Sequence, residues 1–103
     1  MKLHDIAHAR TGDKGDISNI SVIAYSPDNW PLIRDMVTVE RVAAHFETFD
    51  ARNISRYELP QLQALNFVIR GALAGGVTRS LAMDAHGKCL ASVLLEMQVG
   101  SEN

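Results

Sequence analysis

The chain has one cysteine, Cys89, so an internal disulfide is excluded, and with four methionines this fits a reducing, cytoplasmic setting. There is no Gly-x-Ser-x-Gly elbow, no phosphate loop ending in Gly-Lys-Ser/Thr and no zinc-type Cys/His set. His4 and His8, placed on one strand, would stand ~13 Å apart at ~3.3 Å per residue, too far to share a metal with ligand bonds of ~2.0–2.1 Å. His45 and His86 add no partner, and Cys89 beside an apolar stripe reads as a small core residue. No metal and no cofactor are therefore expected. The net charge of −2 leaves no electrostatic footprint for nucleic acid, and no Lys/Arg block suits an anionic membrane. The longest apolar runs, such as Val93-Leu94-Leu95, fall far short of the ~20 residues that cross a bilayer. The charged start Met1-Lys2-Leu3-His4-Asp5 lacks a signal-peptide core. The six aromatics, Tyr25, Trp30, Phe46, Phe49, Tyr57 and Phe67, do not form the stacking motif of an RNA-binding sheet and read as core.

What is present suits one domain over residues 1–103, with 47 % hydrophobic residues to fill a core. A chain this short buries about 60–70 % of its unfolded surface, so self-association, or an apolar patch that a partner covers, is expected. Leu3 to Ala9 is strand-compatible, and Ile17 to Tyr25 has the β-branched and aromatic enrichment of a strand. Ser26-Pro27-Asp28-Asn29 is turn chemistry, with Asn29 positioned to cap a helix that has Pro31 in its first turn and Trp30, Ile33 and Val37 facing the core. Thr38 is a good cap for a second helix carrying Val39, Val42, Ala43 and Phe46, with Glu40 well placed in its first turn. Ile54 to Leu59 predicts a strand that Pro60 ends. Leu62, Leu65 and Ile69 are spaced for a helix, whereas Leu65, Phe67 and Ile69 alternate as in a strand; the helix is favoured. Ser80 to Asp84 reads as a short strand and His86-Gly87 as a turn. Leu90, Val93, Leu94 and Met97 form a last helical stripe. Strands interleaved with helices, beginning with two joined strands, imply an α+β sandwich: a four-stranded, mainly antiparallel sheet with helices on one face.

Two glycine-bearing clusters stand out. Arg10-Thr11-Gly12-Asp13-Lys14-Gly15-Asp16, continuing to Ser18 and Asn19, holds an arginine, a hydroxyl, two glycines, two carboxylates and an ammonium with no apolar residue. Read as a loop, it offers an anion site through Arg10, Lys14 and exposed backbone N–H groups, or a cation site between Asp13 and Asp16. The plainer alternative is a solvated hairpin in which Asp13 and Lys14 pair locally. Gly75-Gly76-Val77-Thr78-Arg79-Ser80 is a second candidate anion nest, set against a flexible connection with Arg79 in water. In a domain with a radius of gyration of about 13 Å the two loops are expected to be neighbours and to form one polar pocket or docking surface. Arg10 and Arg79 would supply positive charge there, and Asp13 would orient Lys14 or Arg10.

Arg10 to Asp16, Asn19-Ile20, Tyr57-Glu58-Leu59-Pro60, Leu65-Asn66-Phe67, Gly75 to Leu81, Gly87-Lys88 and Leu94-Leu95, in that order, resemble the C-terminal domain of the AtuA (acyclic terpene utilisation) family, from Leu3 to about Val99. Thr11 stands where that family often has serine, and Ser21 where it often has glycine. The resemblance implies a ferredoxin-like fold and a place in the breakdown of acyclic terpenoids or branched acyl-CoA compounds. It carries over motif positions without catalytic roles: Arg10, Thr11, Gly12, Asp13, Lys14, Gly15, Asp16, Asn19, Asn66, Gly75, Gly76, Thr78, Arg79 and Ser80 are the candidate ligand- or partner-binding residues. In the long family members a much larger domain precedes this one. The leading expectation is an accessory small subunit, not catalytic on its own, acting with a larger, separately encoded AtuA-like chain. The alternatives are an independent small-molecule or anion-binding module, and a small enzyme using Asp13 and Lys14 as acid–base groups.

Overall fold

Two antiparallel hairpins, separated in sequence by a pair of helices, interleave into one four-stranded sheet. The structure, a computed structural model, describes residues 1–14, 17–47, 49–71 and 90–100. The first hairpin is β1 (Ala7–Lys14) and β2 (Ile17–Ala24), in register from Ala7↔Ala24 to Lys14↔Ile17. Helices α1 (Trp30–Met36) and α2 (Val39–Phe46) follow, then the second hairpin, β3 (Ile54–Leu59) and β4 (Ala64–Arg70). A short helix, α3 (Leu90–Leu94), lies near the end of the chain. The sheet order is β1-β2-β4-β3, and all three strand pairs are antiparallel.

β2 and β3 therefore run parallel with β4 between them, the split βαβ of a ferredoxin-like fold. In the βαββαβ form of that fold the edge strand beside the first strand comes last. Here the equivalent edge is β1, supplied first, a circular permutation of the same sheet. The first and last described segments lie side by side in keeping with this: Leu3 N–H donates to the Met97 carbonyl and Val99 N–H to the Met1 carbonyl, each at 2.8 Å.

Strand alternation sorts the side chains. Ile20, Val22, Leu65, Phe67 and Ile69 point to one face and are 0 % exposed, beside Leu3, Ile33, Val42 and Leu94. Burying each of these stabilises by about 1.5–3 kcal/mol relative to exposure. α3 packs over β1 and β2, and α2 over β3. His45 Nε2–H on α2 donates to the Val93 carbonyl at 2.8 Å, joining the two helices over that face.

The helix caps follow the sequence reading in part. Thr38 Oγ1 accepts from Arg41 N–H at 3.2 Å, as its position predicts. Asn29 precedes α1 without a side-chain bond, and Ser26 instead caps the short 3-10 turn Pro27–Asn29. At the other end of α1, Arg56 on the covered face of β3 donates from Nε to the Val37 carbonyl at 2.9 Å and from Nη2 to the Arg34 carbonyl. The guanidinium thus meets carbonyls that a helix C-terminus leaves unpaired, where its charge also suits the helix dipole.

Three expectations are corrected. Residues 64–70 form a strand, because Leu65, Phe67 and Ile69 lie opposite Val22, Ile20 and Ser18 on the covered face, and that burial outweighs the helical spacing from Leu62. The stretch Leu3–Ala9 is a 3-10 turn at Leu3–Asp5 with the strand beginning at Ala7. Tyr25 and Tyr57 are 63 % and 53 % exposed, not core: Tyr57 falls on the sheet's other face, and Tyr25, just past β2, stacks on His8. The expected strand Ser80–Asp84, the turn His86-Gly87 and Cys89 lie outside the described residues.

Two outcomes are expected. Arg56→Ala leaves two inner carbonyls without their charged donor and lowers stability by about 1.5–3 kcal/mol; thermal unfolding reads this as roughly 4–8 °C per kcal/mol for a domain this size, and an unchanged midpoint contradicts it. Hydrogen bonds from the side chain and backbone N–H of Arg52 hold the Asp50 carboxyl down from 3.8 to about 2. Its folded value is the lower one, so the pair's stabilisation is present above pH 3.8 and is lost as pH falls through 2. Urea midpoints measured across that window fall less steeply for Asp50→Asn than for the native chain.

Candidate functional site

The segment Arg10-Thr11-Gly12-Asp13-Lys14, expected as a loop, is the end of strand β1. Its partner positions on β2 are Ser21, Ile20, Asn19, Ser18 and Ile17, and only Gly15-Asp16 lies between the two strands. A strand alternates its faces residue by residue, so this motif is divided between the two sides of the sheet.

On the covered side are Thr11 and Asp13. Thr11 Oγ1 accepts from the backbone N–H of Ala91 at 2.8 Å, satisfying a donor at the start of α3. Ser18, 2 % exposed, donates its hydroxyl to Asp13 Oδ1 at 2.7 Å. Both bonds hold the fold together. Asp13 serves a buried hydroxyl on the opposite strand, where the sequence led one to expect it to orient Lys14 or Arg10.

On the other side are Arg10, Gly12, Asn19 and Asn66, together with the register position of Lys14. Arg10 lies opposite Ser21, Ser21 opposite Asn66 and Asn66 opposite Tyr57, so a guanidinium, a hydroxyl, an amide and a phenol form one row across the four strands. Asn66 Nδ2–H donates to Ser21 Oγ at 2.9 Å, linking the middle of the row. The next row is Gly12, Asn19, Val68 and Ser55. A Cβ at Gly12 would come within 3.1 Å of Asn19 Nδ2, so the glycine leaves the space over which the Asn19 amide lies. Among the described residues no element packs on this face, and Ile17, Tyr57 and Leu59 are 42 %, 53 % and 39 % exposed on it. His8 and Tyr25 stack at one end, with ring centroids 5.4 Å apart.

Reading the sequence as a loop missed Ser21, Tyr57 and Arg70 as members of this face; the signal that finds them is period-2 alternation carried through the polar residues as well as the apolar ones. Gly15, Asp16, Gly75, Gly76, Thr78, Arg79 and Ser80 lie outside the described residues, and so does the pocket expected between the two glycine clusters. Among the described residues no three His, Cys, Asp or Glu side chains gather as a metal site. None of their helices is long and apolar enough to cross a membrane.

The model of the AtuA ferredoxin-like domain matches residues 1–100 of the chain. The chain belongs to the AtuA ferredoxin-like domain family. No curated protein and no solved structure matches it. Within the AtuA motif, then, the alternate residues Thr11 and Asp13 brace the fold while Arg10, Gly12 and Asn19 furnish the open face.

Thr11→Val keeps the shape but removes the acceptor for Ala91 N–H, and is expected to cost about 1–2 kcal/mol; Thr11→Ser is expected to restore it. Chemical denaturation of the two variants checks this, and equal stabilities would deny the bond its role.

Proposed function

We propose that this domain is an accessory module that acts with a larger AtuA-type chain in the breakdown of acyclic terpenoid or branched acyl-CoA compounds. The observation that carries the reading is the second face of the sheet, which combines a bonded polar row with exposed Ile17, Tyr57 and Leu59. Exposed apolar groups around hydrogen-bonding groups and an arginine are the composition of a contact surface. The covered face carries the fold, and its polar members Thr11, Asp13 and Arg56 are engaged in bonds that complete it.

The Arg10–Ser21–Asn66 row also favours a second reading, an independent module that binds a small anion, because an arginine fork beside a hydroxyl and an amide suits a carboxylate or phosphate. The catalytic alternative has less support, since Asp13 is committed to Ser18.

Co-expression with a larger AtuA-type chain from the same genome, followed by size-exclusion chromatography, separates these readings. Co-elution that Leu59→Asp on the open face abolishes, with the domain still folded by circular dichroism, is the expected result. Separate elution, together with calorimetric binding of a small carboxylate or inorganic phosphate, would replace the accessory reading with the anion-binding one.

A further inference from the structure

The open face is sorted by charge. The whole chain has twelve carboxylate and ten Lys/Arg residues. On the open-face positions of the four strands whose side chains are described, however, Arg10 and Arg70 are cationic and none is a carboxylate. The acidic strand residues Asp13 and Glu58 occupy positions on the covered side, where Asp13 accepts from Ser18 and Glu58 from Arg56. Many of the chain's other arginines are engaged: Arg34 with Asp35, Arg41 with the Gln98 carbonyl, Arg52 with Asp50 and Arg56 with Glu58. Among the described residues the Arg10 and Arg70 side chains make no ion pair and no hydrogen bond.

Hydrogen-bond polarity points the same way. Ser21 Oγ already accepts from Asn66, so its own O–H remains to donate. Arg10, directly opposite Ser21, brings further donors within ~5 Å at the Cβ level. The centre of the face is thus rich in donors and positive charge, and among the described residues it has no anionic acceptor.

We propose that the open face docks an acidic patch of the larger AtuA-type chain, with a partner carboxylate seated on the Arg10 fork and the Ser21 hydroxyl, and Tyr57 and Leu59 packing at the rim. This rests on the accessory reading and adds the partner's chemistry. Two other occupants fit less well. A second copy of the chain would bring the same cations against each other. A nucleic acid would need aromatic platforms on the central strands, and β2 and β4 present Asn19, Ser21, Asn66 and Val68 there.

The test uses fluorescein-labelled poly-L-glutamate, polyuridylate as a nucleic-acid probe, and the larger chain itself. Anisotropy is expected to show poly-L-glutamate binding that weakens at least tenfold between low and physiological salt, since exposed charges are screened beyond ~8–10 Å there. Arg10→Glu is expected to weaken it about tenfold or more, and Arg10→Lys less, because the charge stays while the fork is lost. Circular dichroism and thermal midpoints of the variants should remain those of the native chain, as the Arg10 side chain makes no bond to the described residues. Tighter binding of polyuridylate, equal binding by Arg10→Glu, or a salt-sensitive dimer in sedimentation that Arg10→Glu disrupts would each overturn the proposal. A complex with the larger chain that ignores both salt and Arg10→Glu overturns it too, while leaving the accessory reading in place. Arg10-dependent binding of poly-L-glutamate without any complex with the larger chain supports the acidic-ligand chemistry and removes the accessory reading.

Discussion

Strand β2 is the constraint on which the rest depends. It is bonded on both edges, to β1 along its whole length and to β4 over seven residues. Its alternation, with Ser18, Ile20 and Val22 buried and Ile17, Asn19, Ser21 and Ile23 facing away, is imposed on both neighbours through the register. A slip of one residue in either pairing would bring Asn19 and Ser21 under the helices and put Ile20 and Val22 in water. The two central apolar pairs, Ile20↔Phe67 and Val22↔Leu65, make that slip costly, and so they also determine that Arg10, Ser21 and Asn66 come together in one row.

This coupling means that the site and the core are not separate features of the sequence. The motif from Arg10 to Lys14 shows it best. Thr11 reaches the first turn of α3 and Asp13 reaches Ser18, while their immediate neighbours Arg10 and Gly12 lie on the far side of the same strand. A motif in which every residue is polar or glycine can therefore carry two unrelated tasks, because strand geometry separates adjacent side chains onto opposite surfaces.

Much of the fold was legible in the sequence. The helices at Trp30 and Val39, the Thr38 cap and the strand Ile54–Leu59 follow from local signals that tertiary contacts reinforce. The strand at Ala64 was not, because Leu62, Leu65 and Ile69 satisfy a helical period by themselves and the choice falls to pairing with β2 and β3, which are distant in sequence. The end of β1 was missed for a similar reason. Gly12, Asp13 and Lys14 are poor strand formers on propensity, and only the ladder to β2 and the bond from Ser18 hold them extended. For the candidate site, the sequence singles out Arg10, Gly12, Asn19 and Asn66, but that they share one face follows only from the register. Period-2 alternation places Ser21 and Tyr57 on one side of their strands, but that they share a row with Arg10 and Asn66 follows only once the strand neighbours are known.

The distribution of charge completes the argument. A domain with a small negative net charge gains little from long-range attraction to an acidic partner, so any such preference must be local to one surface. Strand alternation supplies that locality: it places Asp13 and Glu58 on the covered side, each taking a hydrogen bond from a strand residue, and leaves the Arg10 and Arg70 side chains on the other, unpaired among the described residues. Had the chain exchanged Arg10 with Asp13, its composition and net charge would be unchanged. Ser18 would then lose its acceptor, and the open face would carry a carboxylate opposite Ser21. The sign of the face is thus a property of register, which composition and net charge do not reveal.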